Sequence, residues 1–384
     1  MRRTGFAIAL VATLWVLTRV LNLVALHLLP WVPFDVVLYA DWAQGLRDGS
    51  FPVADPRWQY PDLMAVILVL PTHLGVGYLT AFVALALLID LAIMVALVIV
   101  WRRTGGWIGG LLVWALAGVW IGPVLLVRLD LFATLFAVLA LVVTGRPWLS
   151  AIFSGLGTGL KVWPIVTMLA IPRRRLLPAV GAFVAALVGS ALLVRLWIPA
   201  GDWFLAAQAS RGLHAESVGV LPYLVRGLLG WPPTFSETNG TLELVSPWAG
   251  RIGLALTLVG LLIIAILAVL RWTDRLDHVL PADLVAVSVL VLVATGRVFS
   301  PQFYVWLGGV AAVALLDRRS VLRLPMLLVI VSAVVGQYVY PLRTGWDVQE
   351  PDAMLAQIVR LLLVLSALGL ALWRMRRVPV CATS

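Results

Sequence analysis

Residues 34–61 read FDVVLYADWAQGLRDGSFPVADPRWQYP, and their place between two apolar blocks decides the class of fold. Asp35, Asp41, Asp48 and Asp55, with Asp62 just beyond, are five of the 18 acidic residues in a chain of 384. Asp35 precedes Tyr39 by four positions and the pattern runs on to Arg47, which predicts a short amphipathic helix followed by a proline-rich loop. The segment is a polar platform. The sequence on either side reads as a membrane scaffold that holds it at one surface.

Composition supports the scaffold reading. The chain is 62% hydrophobic and 12% charged, with a mean hydropathy of +1.04, against about 45–50% and 25% in soluble domains. A polytopic, all-α membrane protein with a single transmembrane domain over 1–384 is expected. The net charge of +10 does not imply a nucleic-acid partner, because the arginines fall in short clusters between apolar runs rather than in one stripe. They are topology signals. Lys161 is the only lysine among 28 basic side chains, which fits a GC-rich genome, and Cys381 is the only cysteine, so no intrachain disulfide is possible.

Apolar runs of about 20 residues place the spans, and Lys/Arg in short loops orients them. The charged start and long apolar run of residues 1–29, with no small-residue cleavage site, predict an uncleaved first span over 6–29. Further runs lie at 62–71, 74–100, 106–122, 130–144, 176–197, 249–270, 279–295, 303–316, 324–340 and 353–373. The segment 148–172 is too short for two crossings, yet arginines flank it on both sides. A re-entrant pair of half-helices meeting near Lys161 resolves this, since broken helices are tolerated where they line a cavity. The count is about ten full crossings, or twelve if the hairpin reaches across, with both termini cytoplasmic.

The opposite, extracytoplasmic face then collects the acids and other polar groups. It carries the first outer loop, 31–61, and a large loop over 198–247 with Asp202, Arg211, His214 and Glu216. The turn at Arg297, and Asp347 with Glu350, fall there too. No inverted repeat of transporter type is visible in the two halves. No HExxH, DxD, CxxC, P-loop or GxSxG occurs and the four histidines are scattered, so neither a metal nor a nucleotide is expected and no cofactor is implied. What remains is a carboxylate with basic and aromatic residues at one membrane surface, the set that a transferase using a lipid-phosphate donor needs.

Each candidate has a plainer reading beside it. Asp35 is a general base for a hydroxyl nucleophile, or an acid favoured by the free N–H groups of a helix start. Asp41, Asp48 and Asp55 read as solvated loop acids. Lys161, in GLKVWP, binds an anionic group or reaches to the interface. Arg19, near Asn22, and Asp90 lie at mid-span and are expected to pair as structural glue. RGLHAES, from Arg211, binds phosphate or sugar hydroxyls, or is an ordinary capped helix start. In FSPQFYVWL, Gln302, Tyr304 and Trp306 open a span where aromatics usually form an interfacial belt. Arg128 and Asp130, in VRLDLF, suggest a local ion pair.

These residues carry a resemblance. Asp35 with Tyr39 after the first span, GSFP at Gly49 to Pro52, Tyr60-Pro61, RLDLF, GLGTGLKVWP before an arginine cluster, RGLHAES and FSPQFYVWL occur in the order seen in glycosyltransferase family 87. The chain resembles its polyprenyl-phosphate-dependent mannosyltransferases over most of its length. Two departures are Asp62, where many relatives have a second proline, and FYVW, where some mannosyltransferases carry histidine.

The resemblance implies a C-type glycosyltransferase fold, working on a polyprenyl-phosphate sugar without nucleotide or required metal. The family's catalytic aspartate falls on Asp35. Lys161, Arg211 and Arg297 are then expected at the donor phosphate, and Tyr39, His214, Glu216, Gln302 and Tyr304 at the substrates. Tyr39, Trp58 and Trp306 either stack on sugar rings or anchor the interface. Expected partners are the lipid-phosphate donor, a glycolipid or glycan acceptor and membrane lipids. Two readings of another class stay open, a lipid-linked sugar flippase or small-solute transporter and a non-catalytic scaffold for envelope assembly.

Overall fold

A computed structural model of the chain describes residues 2–52, 55–198, 204, 208, 211–238, 240–343 and 348–377. Asp202, Asp347 and Cys381 lie outside them. The protein is mostly helical, apart from a small antiparallel hairpin of β1 (Phe235–Thr238) and β2 (Thr241–Leu244).

Five helices among the described residues are long and apolar enough to cross a membrane: α1 (Arg2–Leu28), Tyr78–Thr104, Leu176–Trp197, Ala249–Trp272 and Pro351–Arg377. At 1.5 Å per residue they reach about 33–40 Å, beyond the ~30 Å of a hydrocarbon core. They turn Leu, Ile and Val outward, as Leu254, Leu258, Leu261, Leu262 and Ile266 do on one of them. Asp130–Val142, Pro281–Thr295, Phe303–Ala314 and Arg323–Val339 are shorter, at about 18–25 Å. Two of these are almost wholly enclosed, Pro281–Thr295 from Asp283 on and Phe303–Ala314 from Tyr304 on. Long helices thus face outward while these two short ones fill the interior.

Contacts sort the connections into two ends. Arg173 lies 3.9 Å from Asp274, the Arg271 Nε–H donates to the Leu169 carbonyl, His278 reaches the Met375 carbonyl, and Trp107 N–H donates to the Leu316 carbonyl. The arginine clusters of these segments therefore share one end. At the other end stand the helix Phe34–Arg47 (α2), the break at Lys161, the hairpin, and the turns before Phe303 and after Val339.

The segment 148–172 takes the hairpin form expected of it. The helix Pro147–Leu160 stops where Lys161 turns extended (φ −156°, ψ 137°), and a 3₁₀ helix, Trp163–Ala170, returns. Pro164 lacks the N–H that would continue the first helix. Ser154 Oγ and Thr167 Oγ1, 2.6 Å apart and nearly equidistant from Lys161 along the chain, tie the two arms. Gly157 permits this closeness, because a Cβ there would stand 3.0 Å from Pro164 Cβ.

The expected pairing of Arg19 with Asp90 is present, in a fork of two 2.7 Å hydrogen bonds with both side chains buried. It also explains why 106–122, read from the sequence as one span, is broken into Gly109–Ala115 and Ala117–Trp120. Arg19 donates to the Trp114 and Ala115 carbonyls, and Thr18 Oγ1 donates to Ala115. These side chains take up carbonyls at the end of the first piece, and the chain bends at Leu116 (φ −85°, ψ 0°). Replacing Arg19 or Asp90 alone by leucine strands a buried charge and is expected to cost about 3–5 kcal/mol. The double leucine variant is expected to recover most of that loss, as thermal unfolding of the purified protein in detergent will show.

Candidate active site

Helix α2 packs through Val36, Tyr39, Trp42, Ala43 and Leu46, a stripe at helical spacing. Phe51, Trp58, Phe82, Phe132 and Leu160 complete this second core. The platform is therefore clamped to the scaffold. Asp35 sits in its first turn at the edge of the stripe, its side chain 41% exposed, with Oδ2 2.6 Å from Arg128 Nη1. Arg128 is buried and its Nη2 donates to the Tyr340 hydroxyl, which reaches the Val32 carbonyl.

The local Arg128–Asp130 ion pair suggested by the sequence does not form; each residue pairs elsewhere. Asp130 opens the helix Asp130–Val142, and its Oδ1 accepts from Lys161 Nζ at 2.6 Å and from Trp306 Nε1 at 2.5 Å. The Lys161 ammonium lies 5.6, 5.5 and 5.1 Å from the ring centres of Tyr60, Phe303 and Trp306, within cation–π range. A string of alternating charge results: Asp35, Arg128, Asp130, Lys161.

A second group borders the first. Arg211 is buried, with Nη2 3.3 Å from Thr241 Oγ1 and an Nε that has no hydrogen-bond partner among the described residues. Burial lowers its pKa, opposed by Glu243 and Tyr60. Burial likewise raises the pKa of Glu243, whose Oε2 accepts from the Gly212 N–H. Arg297 donates to the Arg211 carbonyl, and its own carbonyl accepts from the His214 N–H. Arg297 thereby braces the segment that carries Arg211. Glu216 pairs with Arg360, whose Nε donates to the Tyr304 hydroxyl, itself 2.6 Å from Ser332 Oγ.

The expected residues thus divide by depth. Asp35, Lys161, Arg297, Glu216 and Gln302 retain partial exposure, whereas Tyr39, His214, Arg211 and Tyr304 are buried. Trp58 and Trp306 are buried too, so neither is an interfacial anchor; Trp306 instead stacks between Phe303 and Trp163. Asp41 and Asp48 are solvated, and Asp55 holds Arg57 and the Trp42 indole.

The sequence reading had Tyr60 and Asp130 in quoted motifs without a site role, and it missed Tyr340, Glu243 and Arg360 as members of this assembly, and the pairing of Arg128. Of these three, only Arg360 carried a usable signal, a lone arginine within IVRLLLVL, the same cue that marked Arg19 and Asp90.

His214 Nδ1 accepts from the Glu216 N–H, and burial pushes its pKa down from 6.5 to about 4, with Glu216 opposing. A histidine buried in its neutral form stabilises the fold above its unfolded pKa, and that contribution is lost as pH falls from about 6.5 toward 4. Thermal stability of the wild type is expected to decline over this window, and the His214→Gln variant to decline less, when melting temperature is followed against pH.

The model of glycosyltransferase family 87 matches residues 58–301. It covers Tyr60, Arg128, Asp130, Lys161, Arg211, His214, Glu216 and Arg297, and begins after Asp35 and Tyr39. A search of curated protein sequences finds no match. The match spans well over half of the chain, and it agrees with the helical membrane architecture and the clustered polar end. The protein belongs to glycosyltransferase family 87 and is a membrane glycosyltransferase.

Proposed function

We propose that the protein is an inverting transferase that moves a sugar, mannose, from a polyprenyl-phosphate donor to a hydroxyl of an envelope glycolipid or glycan. The observation that carries this reading is Asp35, a carboxylate left 41% exposed at the edge of an otherwise packed site, beside the buried cation Arg128, where Lys161 and Arg211 both approach Tyr60.

Asp35 accepts the proton of the acceptor hydroxyl as that oxygen bonds to the anomeric carbon, opposite the phosphate. The bond from that carbon to the phosphate oxygen breaks, and polyprenyl phosphate leaves with the electron pair. Lys161 and Arg211 balance the charge that develops on the leaving group, an electrostatic contribution of preorganised donors, while Arg297 holds the Arg211 segment in place. Tyr39, His214, Glu216, Gln302 and Tyr304 shape the surrounding walls, the buried ones acting through the packing of the exposed ones.

The arginine clusters gather at the opposite end of the helices, so the positive-inside tendency supports an extracytoplasmic site. A solute path through the protein finds less support, because the interior between the two ends is packed with Leu, Val, Ala and Ile.

The test is transfer from radiolabelled polyprenyl-phosphate mannose to endogenous lipid in membranes containing the wild type or Asp35→Asn at matched expression. Transfer is expected to fall by at least ~100-fold in the variant. Equal transfer in both removes Asp35 from the mechanism, and no transfer by the wild type directs attention to other donor sugars.

A further inference from the structure

The two ion pairs of the charge string differ in which partner is free to leave. Asp130 is 1% exposed, accepts from both Lys161 and Trp306, and sits under the aromatic rings that surround the ammonium. In that pair the carboxylate does not leave, although the Lys161 side chain remains 18% exposed. In the other pair the Arg128 side chain is 9% exposed and that of Asp35 41%. Asp35 can exchange its partner for water or a hydroxyl with little loss. Arg128 cannot, because a buried guanidinium without a counter-charge is strongly disfavoured. Opening that pair therefore requires a second anion to take the place of Asp35 on Arg128.

The surroundings of Arg128 suit a phosphate. Its Nε has no hydrogen-bond partner among the described residues, and the Tyr340 hydroxyl lies 3.0 Å from Nη2. Burial would lower the Arg128 pKa, but Asp35 and the nearby tyrosines reverse this and raise it, so the side chain stays a cation. Its planar fork matches the oxygens of a phosphate.

We infer that Arg128 exchanges Asp35 for the phosphate of the lipid donor, so that the general base is released only while a phosphate occupies the site. This rests on the reading of the protein as a polyprenyl-phosphate-dependent transferase and adds to it a phosphate ligand and an order of events. Donor binding precedes activation of the acceptor. When polyprenyl phosphate departs, Asp35 gives its proton to water, returns to Arg128 as the carboxylate and competes against rebinding of the product.

The competition gives a test with an unusual sign. Binding of polyprenyl phosphate to the purified full-length protein is measured for the wild type and for Asp35→Asn, with the uncharged polyprenol as control. Removing the competing carboxylate is expected to tighten binding of polyprenyl phosphate about fivefold, the worth of a half-exposed ion pair, although the same variant loses transfer. Polyprenol binding is expected to stay unchanged.

Arg128→Ala is expected to weaken phosphate binding at least ~tenfold, the worth of a hydrogen bond to a charged group, and in that background Asp35→Asn should no longer tighten it. If Arg128→Ala does not fold, the Asp35→Asn comparison decides alone. Unchanged or weaker binding by Asp35→Asn, with a wild type that does bind polyprenyl phosphate, overturns the exchange and leaves the transferase reading standing. A wild type that binds no polyprenyl phosphate overturns both.

Discussion

A charge taken out of water must have a counter-charge within reach, and in this protein that constraint sets which helices meet. Arg19 joins α1 to the helix Tyr78–Thr104 through Asp90, and in doing so bends the segment 109–120. Arg360 joins the last helix to the loop that carries His214. Lys161 joins the hairpin tip to the helix Asp130–Val142. Apolar packing fills the volume between these links but has little preference for one register over another. Misplacing a link by one turn would strand a buried ion, so the polar pairs fix the arrangement that packing alone would leave open.

Within the site the same rule separates what is fixed from what moves. Asp130 is held by two short hydrogen bonds and buried on every side, which makes the helix start, the hairpin tip and Trp306 one rigid piece. Asp35 lies on a helix that is itself firmly packed, yet its carboxylate reaches the surface. The site thus combines a rigid frame with one replaceable contact. A transferase that must bind its substrates, react and release a product can use both.

Much of this was legible in the sequence. Length and hydropathy give most of the helices, because a membrane span is specified by composition and needs no partner to be recognised. The helix at 34–47 and the break at Lys161 followed from local signals, the spacing of Asp35 and Tyr39 and the Gly-rich run before Pro164. The pairing of Arg19 with Asp90 was legible because a charge in an apolar run advertises its need of a partner. Arg128 and Asp130 were misread as a pair because proximity along the chain says nothing about which way each side chain points at the start of a helix. Burial of Trp58, Trp306 and Tyr304 was hidden as well, since an aromatic near the end of a span looks the same whether it faces headgroups or a neighbouring helix.

The hairpin at 147–170 bears on how deep the chemistry lies. Its first arm has 14 residues, about 21 Å of helix, against a hydrocarbon layer of ~30 Å. Both feet of the hairpin stand at the arginine end, so Lys161 is carried only part of the way across. The position of the ammonium is set by the length of a protein strut rather than by the thickness of the bilayer. It therefore keeps its place against Asp130 and Trp306 in membranes of different thickness.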